Sequence, residues 1–118
     1  MKKIIIILAV IAVMFLFWIL RSPEEASGLT GFAQCLASKN ITMYGADWCP
    51  HCQNEKKAFG SSFEYVPYVE CPDNPKQCLD AGIKGYPTWI FPDGRKLEGE
   101  QGIKTLSQES GCALPENK

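Results

Sequence analysis

The chemistry of this chain centres on one short segment, YGADWCPHCQ, which runs from Tyr44 to Gln53. It contains Cys49 and Cys52 with two residues between them, and also His51, the only histidine among 118 residues. Two cysteines at this spacing can bind a metal, anchor haem, form a structural disulfide or form a redox-active disulfide. The neighbouring residues decide between these four kinds of site.

Three of the four alternatives are disfavoured. Covalent haem attachment needs a histidine directly after the second cysteine, and Gln53 stands there. A zinc site needs a second pair of ligands, but Cys71 and Cys78 are separated by six residues instead of two to four. A structural disulfide between Cys49 and Cys52 would close a very short loop and contribute little stability. We therefore expect no metal and no organic cofactor, and interpret the pair as redox-active.

The predicted local structure gives the two cysteines different roles. Cys49 lies between a predicted strand and Pro50, a residue that suits the first turn of a helix. Unpaired N–H groups at a helix start stabilise a thiolate, and His51 can add positive charge or a hydrogen bond. We expect Cys49 to be the nucleophile and Cys52, facing inward, to resolve the mixed disulfide. A histidine inside the motif favours an oxidant, because it stabilises the reduced form.

The rest of the sequence predicts an α/β domain with a mixed sheet flanked by helices. Hydrophobic patterns and turn residues indicate eight elements in the order helix, strand, helix, strand, helix, strand, strand, helix. Pro67 places its strand at a sheet edge or a bulge, and Asp93-Gly94 marks a hairpin turn. The predicted elements are a short helix from Phe32, a strand at 41–44, a helix at 50–59, a strand at 63–71, a helix at 74–81, strands at 88–91 and 95–98, and a helix at 103–109.

An uncharged apolar segment, Ile4 to Leu20, follows the basic residues Lys2 and Lys3. At about 1.5 Å per residue this segment rises roughly 25 Å as a helix, the short end of what spans a bilayer core. No small-residue cleavage site follows directly, so we favour an uncleaved anchor, with a cleavable signal peptide as the alternative. The two lysines favour a cytoplasmic N-terminus, which places the rest of the chain outside.

These features divide the chain into a membrane anchor at 1–21, a linker at 22–31 and one domain at 32–118. Six cysteines fit an extracytoplasmic domain, because disulfides persist outside the cytoplasm. Twelve basic and thirteen acidic residues leave a net charge of −1, which offers no basic surface for nucleic acid. We predict a single-pass protein of the cell membrane, with its domain on the periplasmic or outer side and no nucleic-acid partner.

Two segments resemble the thioredoxin superfamily: Trp48-Cys49-Pro50-His51-Cys52, between a predicted strand and helix, and Gly85-Tyr86-Pro87-Thr88, before a later strand. The resemblance implies a thioredoxin-like fold with a cis Tyr86–Pro87 bond. It also implies that the backbone of Tyr86 faces the cysteine pair and binds substrate in extended form. The substrate-binding residues expected on this basis are Trp48, Pro50, Tyr86, Pro87 and Thr88.

Over nearly all of 32–112 the chain is most similar to the thioredoxin-like domain associated with bacterial vitamin K epoxide reductase homologues. The segments that carry this similarity are FAQCL, MYGA, WCPHCQ, FG, YVEC and GIKGYPTW. The resemblance implies an extracytoplasmic domain that takes disulfides from a quinone-coupled membrane oxidase and passes them to exported proteins.

One position departs from the pattern of reducing thioredoxins. They usually carry a buried aspartate six residues before the first motif cysteine, and Met43 stands there. This departure disfavours an efficient reductase and favours the thiol oxidase direction. Two alternatives stay open: a reductase or isomerase kept reduced by a membrane electron carrier, and a non-catalytic binding module whose cysteines are structural.

The remaining four cysteines suggest two further pairs. Cys71 ends a predicted strand and Cys78 lies on the next helix, so a local disulfide is expected. Cys35 and Cys112 are then left for each other, and by the chain-entropy model their bond would contribute roughly 4 kcal/mol. The rival hypothesis is that one pair relays electrons to a partner.

Two tryptophans lie in or next to the segments that resemble the thioredoxin superfamily. Trp48 precedes Cys49 and Trp89 follows the Pro87 loop, so we expect both indoles to be exposed next to the site. We expect Asp47 to be a solvated loop residue. Most other aromatic residues of the domain are expected in the core or on strand faces.

Overall fold

The computed structural model describes residues 1–20 and 28–116. Arg21, the first part of the predicted linker (22–27), and residues 117–118 lie outside the described residues. Beyond the first helix, the order of helices and strands is the predicted one, with an additional 3-10 helix before the second strand. The elements are α1 Lys2–Leu20, α2 Thr30–Ser38, β1 Thr42–Gly45, α3 Pro50–Phe59, a 3-10 helix Gly60–Tyr65, β2 Tyr68–Glu70, α4 Pro75–Asp80, β3 Thr88–Ile90, β4 Lys96–Glu98 and α5 Gly102–Ser110.

Helix α1 is apolar and exposed along its whole length. Its 19 residues rise about 28 Å, which is long enough to cross the hydrocarbon core of a membrane. Inserting this helix in lipid would remove its side chains from water. Its length, composition and position fit a membrane anchor or a signal sequence.

The sheet has four strands in the order β2-β1-β3-β4. Strand β1 pairs in parallel with β2 and antiparallel with β3, while β3 and β4 form an antiparallel hairpin. A parallel neighbour requires a crossover connection, and α3 provides it between β1 and β2. Because β1 is central, its carboxyl end presents the start of α3 at one edge of the sheet. The predicted mixed sheet flanked by helices is confirmed.

The predicted strand at 63–71 is wrong in its first half. The chain leaves α3 at Gly60 with a positive φ of 59° and continues as the 3-10 helix. Strand β2 starts only after Pro67, which has no backbone N–H to donate. The carbonyl of Pro67 instead accepts from Met43 N at 2.9 Å. The edge position expected from this proline is confirmed, because β2 is an outer strand.

Helix α2 also differs from the expectation, because it begins at Thr30, two residues inside the predicted linker. Its buried face is formed by Phe32, Ala33 and Leu36, which pack into the core between α2, α3 and the sheet. The Phe32 ring stacks on the Phe59 ring with 5.7 Å between the two centroids.

The prediction that Trp89 is exposed is wrong. Strand β3 lies between two other strands, and the Trp89 side chain is fully buried against Phe59. Its indole N–H donates to Glu55 Oε2 at 2.6 Å, and Glu55 Oε1 accepts from Gly102 N at 2.7 Å. A buried carboxylate is tolerated only when it is well bonded. Glu55 therefore joins α3, β3 and the start of α5.

Two disulfides are present in the described part of the chain, Cys35–Cys112 and Cys71–Cys78. The first connects α2 to the segment after α5 across a sequence separation of 77. The second connects the end of β2 to α4 across a separation of 7. These are the pairs suggested by the cysteine positions, and they leave Cys49 and Cys52 as thiols.

Candidate active site

Cys49 is the N-cap residue of α3, with an extended backbone at φ −78° and ψ 119°. Its Sγ accepts a hydrogen bond from Cys52 N at 3.2 Å, and Pro50 occupies the first turn of the helix. This N–H has no carbonyl partner within the helix, so it is available to a sulfur anion. The backbone at the start of α3 therefore provides a hydrogen-bond donor to the Cys49 sulfur.

Both motif cysteines are buried, and Cys52 is the more completely enclosed, with 0% of its surface exposed against 4% for Cys49. Gly45 makes room for it, since a Cβ on that glycine would lie 2.9 Å from Cys52 Sγ. Burial, and then the hydrogen bond with Cys49, raise the pKa of Cys52 to about 12. Of the two thiols, Cys49 is at the helix start and Cys52 is held protonated beneath it. Their roles as nucleophile and resolving thiol stay predictions.

The loop before β3 closes over the cysteine pair. The Tyr86–Pro87 peptide bond is cis, and the Cys49 thiol donates to the backbone carbonyl of Tyr86 at 3.7 Å. The Thr88 hydroxyl donates to Gly85 O at 2.8 Å and is buried, so this side chain holds the loop and does not face solvent. The structure thus brings the backbone of Tyr86 to Cys49, while Pro87 is buried and Thr88 supports the turn.

Trp48 forms an exposed aromatic surface next to the cysteine pair. Its side chain is 65% exposed, as predicted, and packs edge-on against Tyr86 with 5.8 Å between ring centroids. Pro50 is also exposed, on the other side of Cys49 in the chain. A substrate segment reaching Cys49 would therefore meet Trp48, Pro50 and the backbone of Tyr86.

His51 contacts a carboxylate that the sequence did not indicate. Its Nδ1 lies 2.9 Å from Glu100 Oε2, and Asn54 Nδ2 donates to the same oxygen at 3.2 Å. The hydrogen bond from His51 lowers the pKa of Glu100. The His51 side chain is 68% exposed. His51 therefore has a carboxylate partner that lies 49 positions away in the sequence. Its expected role beside Cys49 stays a prediction.

A hydrogen bond between Tyr68 and Glu70 was also not predicted from the sequence. The Tyr68 hydroxyl donates to Glu70 Oε2 at 2.5 Å, and Glu70 Oε1 accepts from Asp47 N at 2.9 Å. Burial, followed by this hydrogen bond, raises the pKa of Tyr68. Asp47 itself is exposed, as expected. The only signal in the sequence was the spacing of Tyr68 and Glu70, since alternate residues of a strand share a face.

In this site, strand β1 leads to Cys49 at the start of α3, and the loop with the cis Tyr86–Pro87 bond faces Cys49. The domain has a thioredoxin-like fold. Two curated relatives fit this assignment. Over 102 residues the chain is 40% identical to the "Thiol-disulfide oxidoreductase LTO1" of Arabidopsis thaliana, and over 100 residues it is 25% identical to a "Thioredoxin domain-containing protein 5 homolog" of Drosophila melanogaster.

These alignments cover 79% and 74% of this chain but only 27% and 24% of the two relatives, so the thioredoxin-like chain spans about a quarter of their length. No family model matches the chain. The relatives support a place in the thioredoxin superfamily and a thiol–disulfide oxidoreductase chemistry. The roles assigned to individual site residues stay predictions.

Proposed function

We propose that this chain is a membrane-anchored, extracytoplasmic protein thiol–disulfide oxidoreductase that acts through Cys49 and Cys52. One observation carries the proposal: Cys49 Sγ lies at the start of α3, where it accepts from Cys52 N, and only 3.7 Å from the backbone carbonyl of Tyr86. A sulfur that bonds to Cys49 therefore arrives beside a backbone able to pair with an extended peptide. The 40% identical relative named as a thiol–disulfide oxidoreductase supports the same chemistry.

In the disulfide-forming direction, a substrate thiolate attacks Cys49 of the oxidised pair. The new bond joins the substrate sulfur to Cys49, and Cys52 leaves with the electron pair of the old bond. A second substrate thiolate then attacks the substrate sulfur of the mixed disulfide and releases Cys49 as a thiolate. The substrate has gained a disulfide, and the enzyme has gained two electrons. Helix α3 assists the last step because its first N–H groups stabilise the departing Cys49 thiolate.

We assign substrate docking to the surface around Cys49. Trp48 and Tyr86 form its aromatic part, and the backbone of Tyr86 next to cis Pro87 binds an extended segment of the substrate. Pro50 borders the same opening, whereas Thr88 acts by bracing the loop through Gly85. Backbone pairing with exposed aromatic contacts suits unfolded exported proteins of varied sequence.

The oxidase direction is favoured by two features. The N–H groups at the start of α3, with His51 next to them, favour the thiolate of reduced Cys49, which makes the oxidised pair a stronger oxidant. Met43, where reducing thioredoxins have an aspartate, is fully buried and has no group that accepts a proton. A reductase or isomerase kept reduced by a membrane electron carrier is the second candidate.

We further propose that α1 anchors the chain in the cell membrane with the domain on the outer side. The four cysteines outside the motif form disulfides, and such bonds suit an oxidising compartment. The pair would be reoxidised there by a quinone-coupled membrane oxidase similar to vitamin K epoxide reductase homologues. That partner follows from the sequence resemblance.

Replacing the resolving thiol tests the proposal directly. Cys52→Ala in the full chain should trap exported proteins on Cys49 as mixed disulfides, visible as adducts that dithiothreitol releases. The Cys49→Ala,Cys52→Ala double variant is the matched control and should trap none. If the single variant also traps none, the domain is a binding module and the proposed function is wrong. A reduction potential near −120 mV supports the oxidase, whereas one near −270 mV supports the reductase.

A further inference from the structure

A group of polar side chains lies beside the resolving thiol and has no part in the mechanism described above. The position of a Cβ at Gly45 is 2.9 Å from Cys52 Sγ, 3.3 Å from a ring carbon of Tyr68 and 3.4 Å from the Tyr68 hydroxyl oxygen. The thiol and the phenol thus approach the same point on β1. Gly45 has no side chain to separate them.

From this point a chain of polar groups leads towards solvent. The Tyr68 hydroxyl donates to Glu70 Oε2, and Glu70 is only partly buried. The other oxygen of Glu70 accepts from the backbone of Asp47, which holds the carboxylate in place. Lys56 lies one helical turn after Cys52, and its Nζ is 4.0 Å from the centroid of the Tyr68 ring. The titratable groups around Cys52 are therefore Cys49, Lys56, Tyr68, Glu70 and Asp47.

Cys52 needs such a path because it reacts only as a thiolate. Burial raises its pKa to about 12, so at neutral pH the buried thiol keeps its proton. Met43, a neighbour of Tyr68 in the paired strands, is apolar and cannot accept that proton. The nearest polar path on the sheet is the one through Tyr68.

We propose that Tyr68 and Glu70 carry the proton of Cys52 out of the site and back, an inference that rests on the proposed thiol–disulfide activity. When Cys52 resolves a mixed disulfide on Cys49, its S–H proton passes to the Tyr68 oxygen, directly or through one water. The phenol proton passes to Glu70 at the same time. The Cys52 sulfur bonds to Cys49, and the other thiol leaves with the electron pair.

In the opposite direction the same groups return the proton. A substrate thiolate attacks Cys49, and the bond between Cys49 and Cys52 breaks. Cys52 then receives a proton from Tyr68, and a proton from solvent replaces it by way of Glu70, which is partly exposed. A thiol with a high pKa is a poor leaving group, so protonation during departure speeds this step. The path therefore serves both the oxidase and the reductase direction.

A two-phase reaction tests this inference. The reduced full chain, in detergent because of α1, is mixed with excess dithionitrobenzoate, a disulfide whose thiol product is coloured. Attack by Cys49 releases the first coloured thiol at a rate that depends on reagent concentration. Resolution by Cys52 releases the second at a rate that does not. The second rate is measured from pH 6 to pH 10 for the wild type, Tyr68→Phe and Glu70→Gln.

Both variants should slow the second phase about tenfold or more at neutral pH, the scale of lost proton-transfer assistance, and leave the first phase unchanged. Their second phase should also need a more alkaline pH to recover. Tyr65→Phe is the matched control, because Tyr65 is likewise hydrogen-bonded to a glutamate, Glu64, but is exposed on the 3-10 helix. It should behave as the wild type.

The outcomes separate this inference from the proposed function. An unchanged second phase with an unchanged pH profile in both variants overturns the role of Tyr68 and Glu70, while the redox function stands. Absence of the first phase in the wild type overturns the redox function itself. Thermal unfolding of each variant checks its folding. Glu70→Gln retains the Tyr68 ring and its contact with Lys56, so it decides the question if Tyr68→Phe folds poorly.

Discussion

Two carboxylates, Glu100 and Glu70, hydrogen-bond to side chains around the cysteine motif, and the two pairs differ in their exposure to water. Glu100 bonds to His51, two residues after Cys49, and that histidine is largely exposed. Glu70 bonds to Tyr68, which is half-buried next to Cys52. The distances are similar, at 2.9 Å and 2.5 Å, but water screens the first pair far more than the second. We therefore expect weak tuning at Cys49 and stronger control at Cys52.

Filling the space between Cys52 and Tyr68 should have the largest effect on stability. Gly45→Ala introduces a Cβ 2.9 Å from Cys52 Sγ, so the thiol and the phenol must move apart. We expect the free energy of unfolding to fall by about 1–3 kcal/mol, the usual cost of overpacking a core. Urea unfolding measures this change, and the second phase of thiol release should slow as well.

Gly31→Ala is the matched control for that substitution. Gly31 lies in α2, and a Cβ there would meet nothing within 4 Å. Because alanine favours helices, stability should stay the same or rise by up to about 1 kcal/mol. Equal losses from the two substitutions would show that crowding at Cys52 is not the cause.

The burial of Cys52 predicts a smaller effect, a loss of stability at alkaline pH. The pKa of Cys52 is about 12 in the folded chain against 9.0 for a free thiol, so between these values the folded state holds more protons. Stability is then full below pH 9 and falls as the pH rises towards 12, by about 1 kcal/mol at pH 10.

Chemical unfolding of the reduced protein at pH 8 and pH 10 measures this loss. Tyr68, whose pKa is also raised, contributes a loss of the same sign at higher pH. Cys52→Ala should lose less stability than the wild type over this interval. If the free energy of unfolding falls equally between pH 8 and pH 10 in the wild type and in Cys52→Ala, deprotonation of Cys52 is not the cause of the loss.

The exposed pair should give the smallest effect. Glu100→Gln removes a negative charge near the cysteine pair and frees His51, so reduced Cys49 becomes more stable. We expect a slightly more positive reduction potential in a glutathione or dithiothreitol redox titration. The shift should shrink at high salt, because exposed charges are screened.

His51→Ala should move the potential in the opposite direction, since it removes the imidazole and leaves the carboxylate. If Glu100→Gln and His51→Ala shift the potential in the same direction, the carboxylate does not act through His51. If the Glu100→Gln shift in reduction potential persists at high salt, water does not screen the His51–Glu100 pair more than the half-buried Tyr68–Glu70 pair.

Much of the fold was predictable from local signals. Pro50 and the cysteine spacing marked the start of α3, Asp93-Gly94 marked the hairpin, and Pro67 marked an edge strand. The position of Trp89 was not predictable in this way. Its burial follows from the central place of β3 in the sheet, which depends on strand order and not on the residues flanking Trp89.

The site was predictable only where its residues are neighbours in sequence. Cys49 and Cys52 lie within one turn, and the Tyr86–Pro87 segment has its own pattern. Glu100 lies 49 positions from His51, and Glu55 lies 34 positions from Trp89, so only the folded chain shows these pairs. A carboxylate in a sequence does not reveal whether it will be solvated or will bond to an imidazole or an indole.

The Cys35–Cys112 bond also determines how the domain responds to mechanical tension. Cys35 lies in α2 and Cys112 follows α5, so the bond encloses all four strands and helices α3, α4 and α5. When the two ends of the chain are pulled apart, the load passes from Cys35 to Cys112 through the covalent bond. The segment 36–111, with the Cys49 site inside it, stays unstretched while the flanking segments extend. Tension applied between the two ends of the chain would therefore leave the reactive centre intact.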